Sequence, residues 1–277
     1  MSARSLLLID ADPDDQGYLA GILQRDDREI QRVPDGREAI EVIRSGPVDV
    51  VLAAQGSNGF DPLKLLRRVR SIRPDTKVIL TGDLAPQQIL HAIRQRAFGY
   101  LHRPLTPGPL TELVQQALEC DTWQDDIRVV SARPEWITLD VRCKIDAADR
   151  TTHFLREITA HLSAQASEDV SAAFRELLMN AIEHGGKNDP HKRVRTSILH
   201  TGKSIIVHIH DPGTGFSLDF LPHAAISNPE DSPIRHVEVR AETGIRPGGF
   251  GILLTRNMVD ELLYNERGNA VLFVKYL

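Results

Sequence analysis

Glu176, Asn180 and His184 recur every fourth residue in "AAFRELLMNAIEHGG", residues 172–186. On a helix, positions i, i+4 and i+8 lie one above another on a single stripe. Leu177, Leu178, Ala181 and Ile182 fill the flanking positions that face a core. A carboxylate, an amide and an imidazole therefore stand in a row beside the buried side. An amide carbonyl is a hard oxygen ligand for Mg2+, which keeps most of its waters and bridges phosphates. A carboxylate one turn earlier can orient or deprotonate an attacking hydroxyl or water.

Two more stretches carry complementary groups. In "DPGTGF", residues 211–216, Asp211 sits where a strand-like run ends. There it can accept a hydrogen bond from an exocyclic amine, a natural way to select adenine. In "GGFGILLTRNMVDEL", residues 248–262, glycines open an amphipathic helix. They let backbone N–H groups approach phosphate oxygens, aided by the helix dipole. Each stretch alone also reads as an ordinary turn or a wet helix edge. In this order, on these elements, they read as one nucleotide pocket.

The elements that position these groups fall into two rhythms. From residue 5 to 119, short apolar runs (5–9, 29–33, 48–53, 77–81 and 98–102) alternate with amphipathic segments (14–25, 36–44, 61–72, 86–96 and 107–118). That alternation predicts a parallel sheet with helices on both faces and a site at the strands' carboxyl ends. Residues 120–133, acid-rich and without a clean period, read as a linker. The second half, 134–277, opens with the strand-like "WITLDVRC" and helices at 146–164 and 167–184. A hairpin turning at Thr201-Gly202 follows. Then come a long proline-containing loop at 216–248, a helix at 250–262 and a terminal hairpin. A loop of that length is functional or disordered.

The 277 residues leave room for two domains, each with its own core. The chain is 41% apolar and 26% charged with a net charge of -5, so nothing points to direct DNA binding. Cys120 and Cys143 lack metal-ligand spacing and suit a reducing compartment. The initial apolar run is too short for a signal peptide and no segment reaches membrane-spanning length. These features predict a cytoplasmic protein with no membrane contact.

Residues 134–277 resemble the GHKL (Bergerat) ATP-binding fold of histidine kinases, type II topoisomerase ATPase subunits and Hsp90 chaperones. In its short form it is similar to bacterial anti-sigma-factor serine/threonine kinases. Glu176, Asn180 and His184 match that family's N box. Asp211, Gly213 and Gly215 match its first glycine box, and Gly249 and Gly251, on either side of Phe250, match the second. The resemblance implies a two-layer α/β sandwich with a mixed sheet, and ATP and Mg2+ as cofactors. It also implies that Asp211 contacts adenine, Asn180 holds Mg2+, Glu176 is the general base and 216–248 is the ATP lid. One departure stands on the terminal strand, where Asn269-Ala270 replaces a base-binding Thr. "HFLREIT", residues 153–159, superficially matches a phosphoacceptor helix. His153 lies too close to Asn180 for a separate dimerisation unit, so it and His161 read as ordinary helix residues.

Residues 1–119 resemble the response-regulator receiver domain, a flavodoxin-like, doubly wound five-stranded parallel sheet. The resemblance rests on "LLLIDADPDD", "LTG" and "FGYLHRPL". Thr81 and Pro104 fall at family positions, but the chemistry does not survive. Ala54 stands where the phosphoacceptor Asp belongs, and the acidic pair reads Asp10-Ala11, leaving Asp12 or Asp14 to compensate. Arg103 replaces the Lys, keeping a charge but not a compact ammonium. Asp49 lies at the wrong end of its strand and Ser57 in the loop. This half reads as a pseudo-receiver that serves as a protein-binding module.

The expected function is an ATP-dependent protein serine/threonine kinase of the anti-sigma type. The resemblance implies a STAS-type anti-sigma-factor antagonist as partner, and extends to a sigma factor, with a homodimer left open. The alternative is a non-catalytic partner switch in which ATP only orders the lid. A transcription factor is disfavoured, because no helix-turn-helix pattern is present.

Overall fold

Leu6, Leu7, Leu8 and Ile9 are all buried, in both pleat directions, because the strand they form is covered on both faces. That strand is β1 (Arg4–Ile9). The computed structural model describes residues 3–55, 61–133, 135–215 and 251–277. The chain divides into two units, Met1–Asp125 and Asp126–Leu277.

The first unit continues with α1 (Pro13–Leu23), β2 (Arg28–Val33), α2 (Gly36–Ser45), β3 (Val50–Ala54) and α3 (Pro62–Ile72). It is completed by β4 (Lys77–Gly82), α4 (Pro86–Arg94), β5 (Gly99–His102) and α5 (Pro107–Glu119). The sheet order is β2-β1-β3-β4-β5, with every pairing parallel, as the alternation predicts. Local chemistry sets the helix starts. Asp12, Asp35 and Asp61 each accept two backbone N–H groups at a first turn, a cap worth roughly 1 kcal/mol. Proline opens α1, α3, α4 and α5, where its missing N–H costs nothing.

The expected linker at 120–133 is corrected at both ends. Cys120 and Trp123 belong to the first unit's core, with Trp123 edge-on to Phe98 at 5.6 Å. The Arg70 guanidinium lies 4.0 Å from the Trp123 ring centroid. Residues Ile127–Arg133 form a strand, β6, of the second sheet. Its alternation is broken by a bulge between Val129 and Ser131, which hides the period of two.

The second unit adds β7 (Trp136–Arg142), α6 (Ile145–Ile158), α7 (Ala164–Asn180) and a π turn (Ala181–Gly185). Then follow β8 (Arg193–His200), β9 (Ser204–His210), α8 (Gly251–Met258), β10 (Glu261–Tyr264) and β11 (Ala270–Tyr276). The sheet order is β10-β11-β9-β8-β7-β6. Expected to be mixed, this sheet is antiparallel in every described pairing, because the hairpins β6/β7, β8/β9 and β10/β11 build it. Ile137, Leu139, Val141, Val194, Ile198, Val207, Ile209 and Phe273 bury one face against the helices. Two helices are shorter than their patterns suggest. Helix α6 ends at Ile158, so His161 lies beyond it, its ring tilted against His200 with centroids 4.9 Å apart. Helix α8 stops at Met258, whose carbonyl accepts from Lys275 Nζ at 2.8 Å.

Candidate functional site

Helix α7 is capped by Ser163, whose hydroxyl accepts the Ala166 N–H, and buries Val170, Phe174, Leu177 and Leu178. Glu176 and Asn180 lie half-buried on its flank. The α-helical repeat stops at Asn180, and the π turn widens the spacing beyond it. His184 is consequently exposed, off the stripe that a regular helix would have made. The same turn carries Gly185 onto Asp211: a Cβ at 185 would fall 2.2 Å from the Asp211 carboxyl carbon. Any side chain there would displace the carboxylate.

Asp211 follows β9. Its Oδ1 accepts the Gly213 N–H at 2.7 Å, and its own N–H donates to Asn269 O at 3.0 Å. Among the described residues, Oδ2 has no hydrogen-bond partner. Burial raises the Asp211 carboxyl above the ordinary carboxylate range, against the Gly213 hydrogen bond and His210, which pull it down. The residue is held as an acceptor in a partly desolvated place. Gly213 packs on Gly185, and Gly215 adopts a φ of +83° against the Arg267 carbonyl.

Asn269, which stands where the resembled family keeps a Thr, is buried and already engaged. Its Nδ2 faces His210 Nε2 at 3.2 Å and Gly213 O at 3.5 Å, while its Oδ1 accepts from Asn265 Nδ2 at 2.8 Å. It supports the loop carrying Asp211. The sequence shows the Thr is gone, but not that the Asn amide is spent on the turn.

Glu176 meets α8 at Gly251, its first described residue. A Cβ at Gly251 would lie 1.7 Å from Glu176 Oε1. Tyr264 of β10 is registered with Val271 on the helix-covered side of the sheet. Burial, and then the nearby Glu176 carboxylate, push its phenol up to about 12. Nothing in the sequence pattern singles out Tyr264. Gly249, Phe250 and the expected lid at 216–248 lie outside the described residues. The donors that are described fit a magnesium nucleotide: the Asn180 amide, the Glu176 carboxylate, and Asp211 in a cradle that a Cβ on Gly185 or Gly213 would fill.

At the carboxyl ends of the first sheet, Ala54 is registered with Thr81, as the receiver resemblance requires. Ala54 is buried, and the fully buried Thr81 hydroxyl has no hydrogen-bond partner among the described residues. Asp10 is buried, Ala11 half-buried, and Arg103 bridges Asp10 and Asp15. The second carboxylate that meets Arg103 beside Asp10 is Asp15, not Asp12 or Asp14. Asp12 is occupied as the α1 cap, accepting from Asp14 N at 2.9 Å and Asp15 N at 3.4 Å. Asp49 accepts from Ser5 N at 2.8 Å, at the far end of β3, and Ser57 lies outside the described residues.

Comparison with known proteins accords with both halves. Residues 6–115 match the response regulator receiver domain. Residues 142–275 match the histidine kinase-like ATPase domain, which implies ATP binding. Among curated proteins, the chain is 25% identical over 130 residues to the nitrogen assimilation regulatory protein NtrX of Azorhizobium caulinodans. That alignment spans 46% of this chain and 28% of NtrX. It is 20% identical over 118 residues to the two-component response regulator ORR7 of Oryza sativa, spanning 41% of this chain and 56% of ORR7. The chain thus covers only part of these relatives. Among solved structures, a CheY-like receiver domain protein from Methanospirillum hungatei is 20% identical with a TM-score of 0.41, covering 43% of this chain and 95% of that one. Among the described residues, no helix is long and apolar enough to cross a membrane. The chain thus joins a segment that matches the response regulator receiver domain to a segment that matches the histidine kinase-like ATPase domain.

Proposed function

We propose that the second unit is an ATP-dependent protein serine/threonine kinase of the anti-sigma type, with the first unit as a pseudo-receiver that binds protein. The observation that carries this reading is the place of Glu176: one turn before Asn180 on α7, and against Gly251 of α8. A module that only binds nucleotide needs no carboxylate there. Mg-ATP, once bound, would supply the transferable phosphoryl group. Asn180 would hold the metal, Asp211 would accept from the adenine amine, and Glu176 would take the proton of the attacking hydroxyl.

The proposed substrate is a Ser or Thr of a small STAS-type antagonist protein. A phosphate adds about -1.5 to -2 charge at neutral pH, enough to break an interface by repulsion and desolvation. The test is a pull-down with and without Mg-ATP, followed by phosphosite mapping on the captured protein. A modified Ser or Thr supports the kinase. A partner that is captured but never modified points to the non-catalytic partner switch.

A further inference from the structure

The carboxyl-end rim of the first sheet is tied together from one strand. Arg103, just after β5, donates through Nη1 to Asp15 Oδ2 and through Nη2 to Asp10 Oδ2. Asp10 follows β1 and its side chain is 7% exposed, while Asp15 stands in the first turn of α1. Asp10 Oδ1 also accepts the Asp12 N–H at 3.1 Å, so the carboxylate is held from both sides. Three residues earlier, fully buried Tyr100 ties β5 to the loop after β4. Its hydroxyl donates to Gly82 O and accepts the Leu84 N–H at 2.9 Å, with His102 Nδ1 at 3.1 Å.

We propose that Arg103 is a built-in counter-ion that straps β5 to the β1–α1 corner, holding the first unit in one conformation independently of divalent cations. A planar guanidinium satisfies two carboxylates with two parallel donors, which a spherical ion would otherwise have to do by coordination. Because it is part of the chain, it does not dissociate from the site when divalent cations are removed. Ala54, on the adjacent strand, offers no group that could be modified to compete for it. Tyr100 gives the same strand its second tie. The first unit is therefore a fixed surface rather than a switch. This inference is independent of any kinase activity in the second unit.

The test is amide hydrogen exchange and thermal unfolding of the full chain without nucleotide, with and without millimolar Mg2+. In the unsubstituted protein, exchange at residues 10–15 and 82–84 should be slow and unchanged by Mg2+. Arg103→Ala leaves Asp10 and Asp15 facing each other without a cation. It should lower the first unit's unfolding temperature by roughly 4 °C or more, speed exchange at residues 10–15, and make that exchange newly sensitive to Mg2+. Arg103→Lys, which folds with a single point charge in place of the fork, should lie between the two. Protection at 10–15 that rises with Mg2+ in the unsubstituted protein would overturn the proposal. So would an Arg103→Lys protein indistinguishable from it in exchange and stability.

Discussion

Gly251 approaches Glu176 so closely that a Cβ at 251 would sit 1.7 Å from the Glu176 Oε1. Gly251 of α8 and the flank of α7 thus share one small volume, with room for a carboxylate and no side chain opposite it. Gly251→Ala is the sharpest probe of that contact. Helix propensity alone would favour alanine by roughly 0.5–1 kcal/mol. The added methyl turns the flexible Glu176 side chain away, so the variant should fold with little change in unfolding temperature and lose phosphoryl transfer by about 100-fold or more, as when a base is misplaced. Thermal unfolding and ATP turnover on the same sample check both.

Asp211 should separate binding from stability. Burial raises its carboxyl in the folded chain, so ionised Asp211 opposes folding at neutral pH. For an acid raised in this way, the favourable contribution is present below its unfolded pKa and lost as pH rises through the folded one. Asp211→Asn keeps an oxygen for the Gly213 N–H and removes the charge. It should leave the second unit as stable or more stable near pH 7, while weakening ATP binding by about 10-fold or more through loss of a charged acceptor. Calorimetric titration with ATP and a melting curve decide the point.

The first unit should accept no phosphoryl group from acetyl phosphate, because Ala54 has no nucleophile and Asp10 is held by Arg103. Intact-mass measurement should show no acid-labile adduct on residues 3–125. Such an adduct would mean that another residue of the strand end acts as acceptor.

Acid should unfasten the far side of the second unit. Asp169 is partly buried, which opposes its charge, but hydrogen bonds from Lys275 and then Gln165 outweigh this and hold its carboxyl below the usual range. Lys275 Nζ lies 2.8 Å from Asp169 and 2.8 Å from Met258 O, joining α7, β11 and the end of α8. A depressed carboxyl contributes stability above its unfolded value, about 3.9, and loses it as pH falls through the folded value. Lys275→Met should therefore be less stable than the unsubstituted protein at pH 7, with the gap narrowing below about pH 4. Urea unfolding at a series of pH values measures it.

Periodicity made the first sheet legible as five parallel strands alternating with helices, because most of its strands are apolar runs followed by Asp or Pro helix starts; its order of strands came from the receiver resemblance. It failed at β6, where a bulge interrupts the alternation, and at Trp123, whose burial depends on Phe98 and Arg70 rather than on its neighbours in sequence. In the site, spacing placed Glu176 and Asn180 together but carried the stripe too far. A π turn cannot be read from "AIEHG", and it sends His184 to the surface and Gly185 to Asp211. Asp15 was missed for a readable reason: Asp12 before Pro13 is a helix cap, so it was never available to the pocket. Asn269 and Tyr264 depend on strand register, which a single sequence does not specify.

The central claim is that Glu176 serves chemistry and not nucleotide binding. The most direct measurement is single-turnover transfer from radiolabelled ATP to the captured partner protein by the unsubstituted chain and by Glu176→Gln, with nucleotide affinity measured on both. The neutral amide keeps the shape beside Gly251 and removes the base. The account predicts transfer slowed by roughly 10²–10⁴-fold with affinity unchanged within about threefold. Full transfer by Glu176→Gln at unchanged affinity would contradict it.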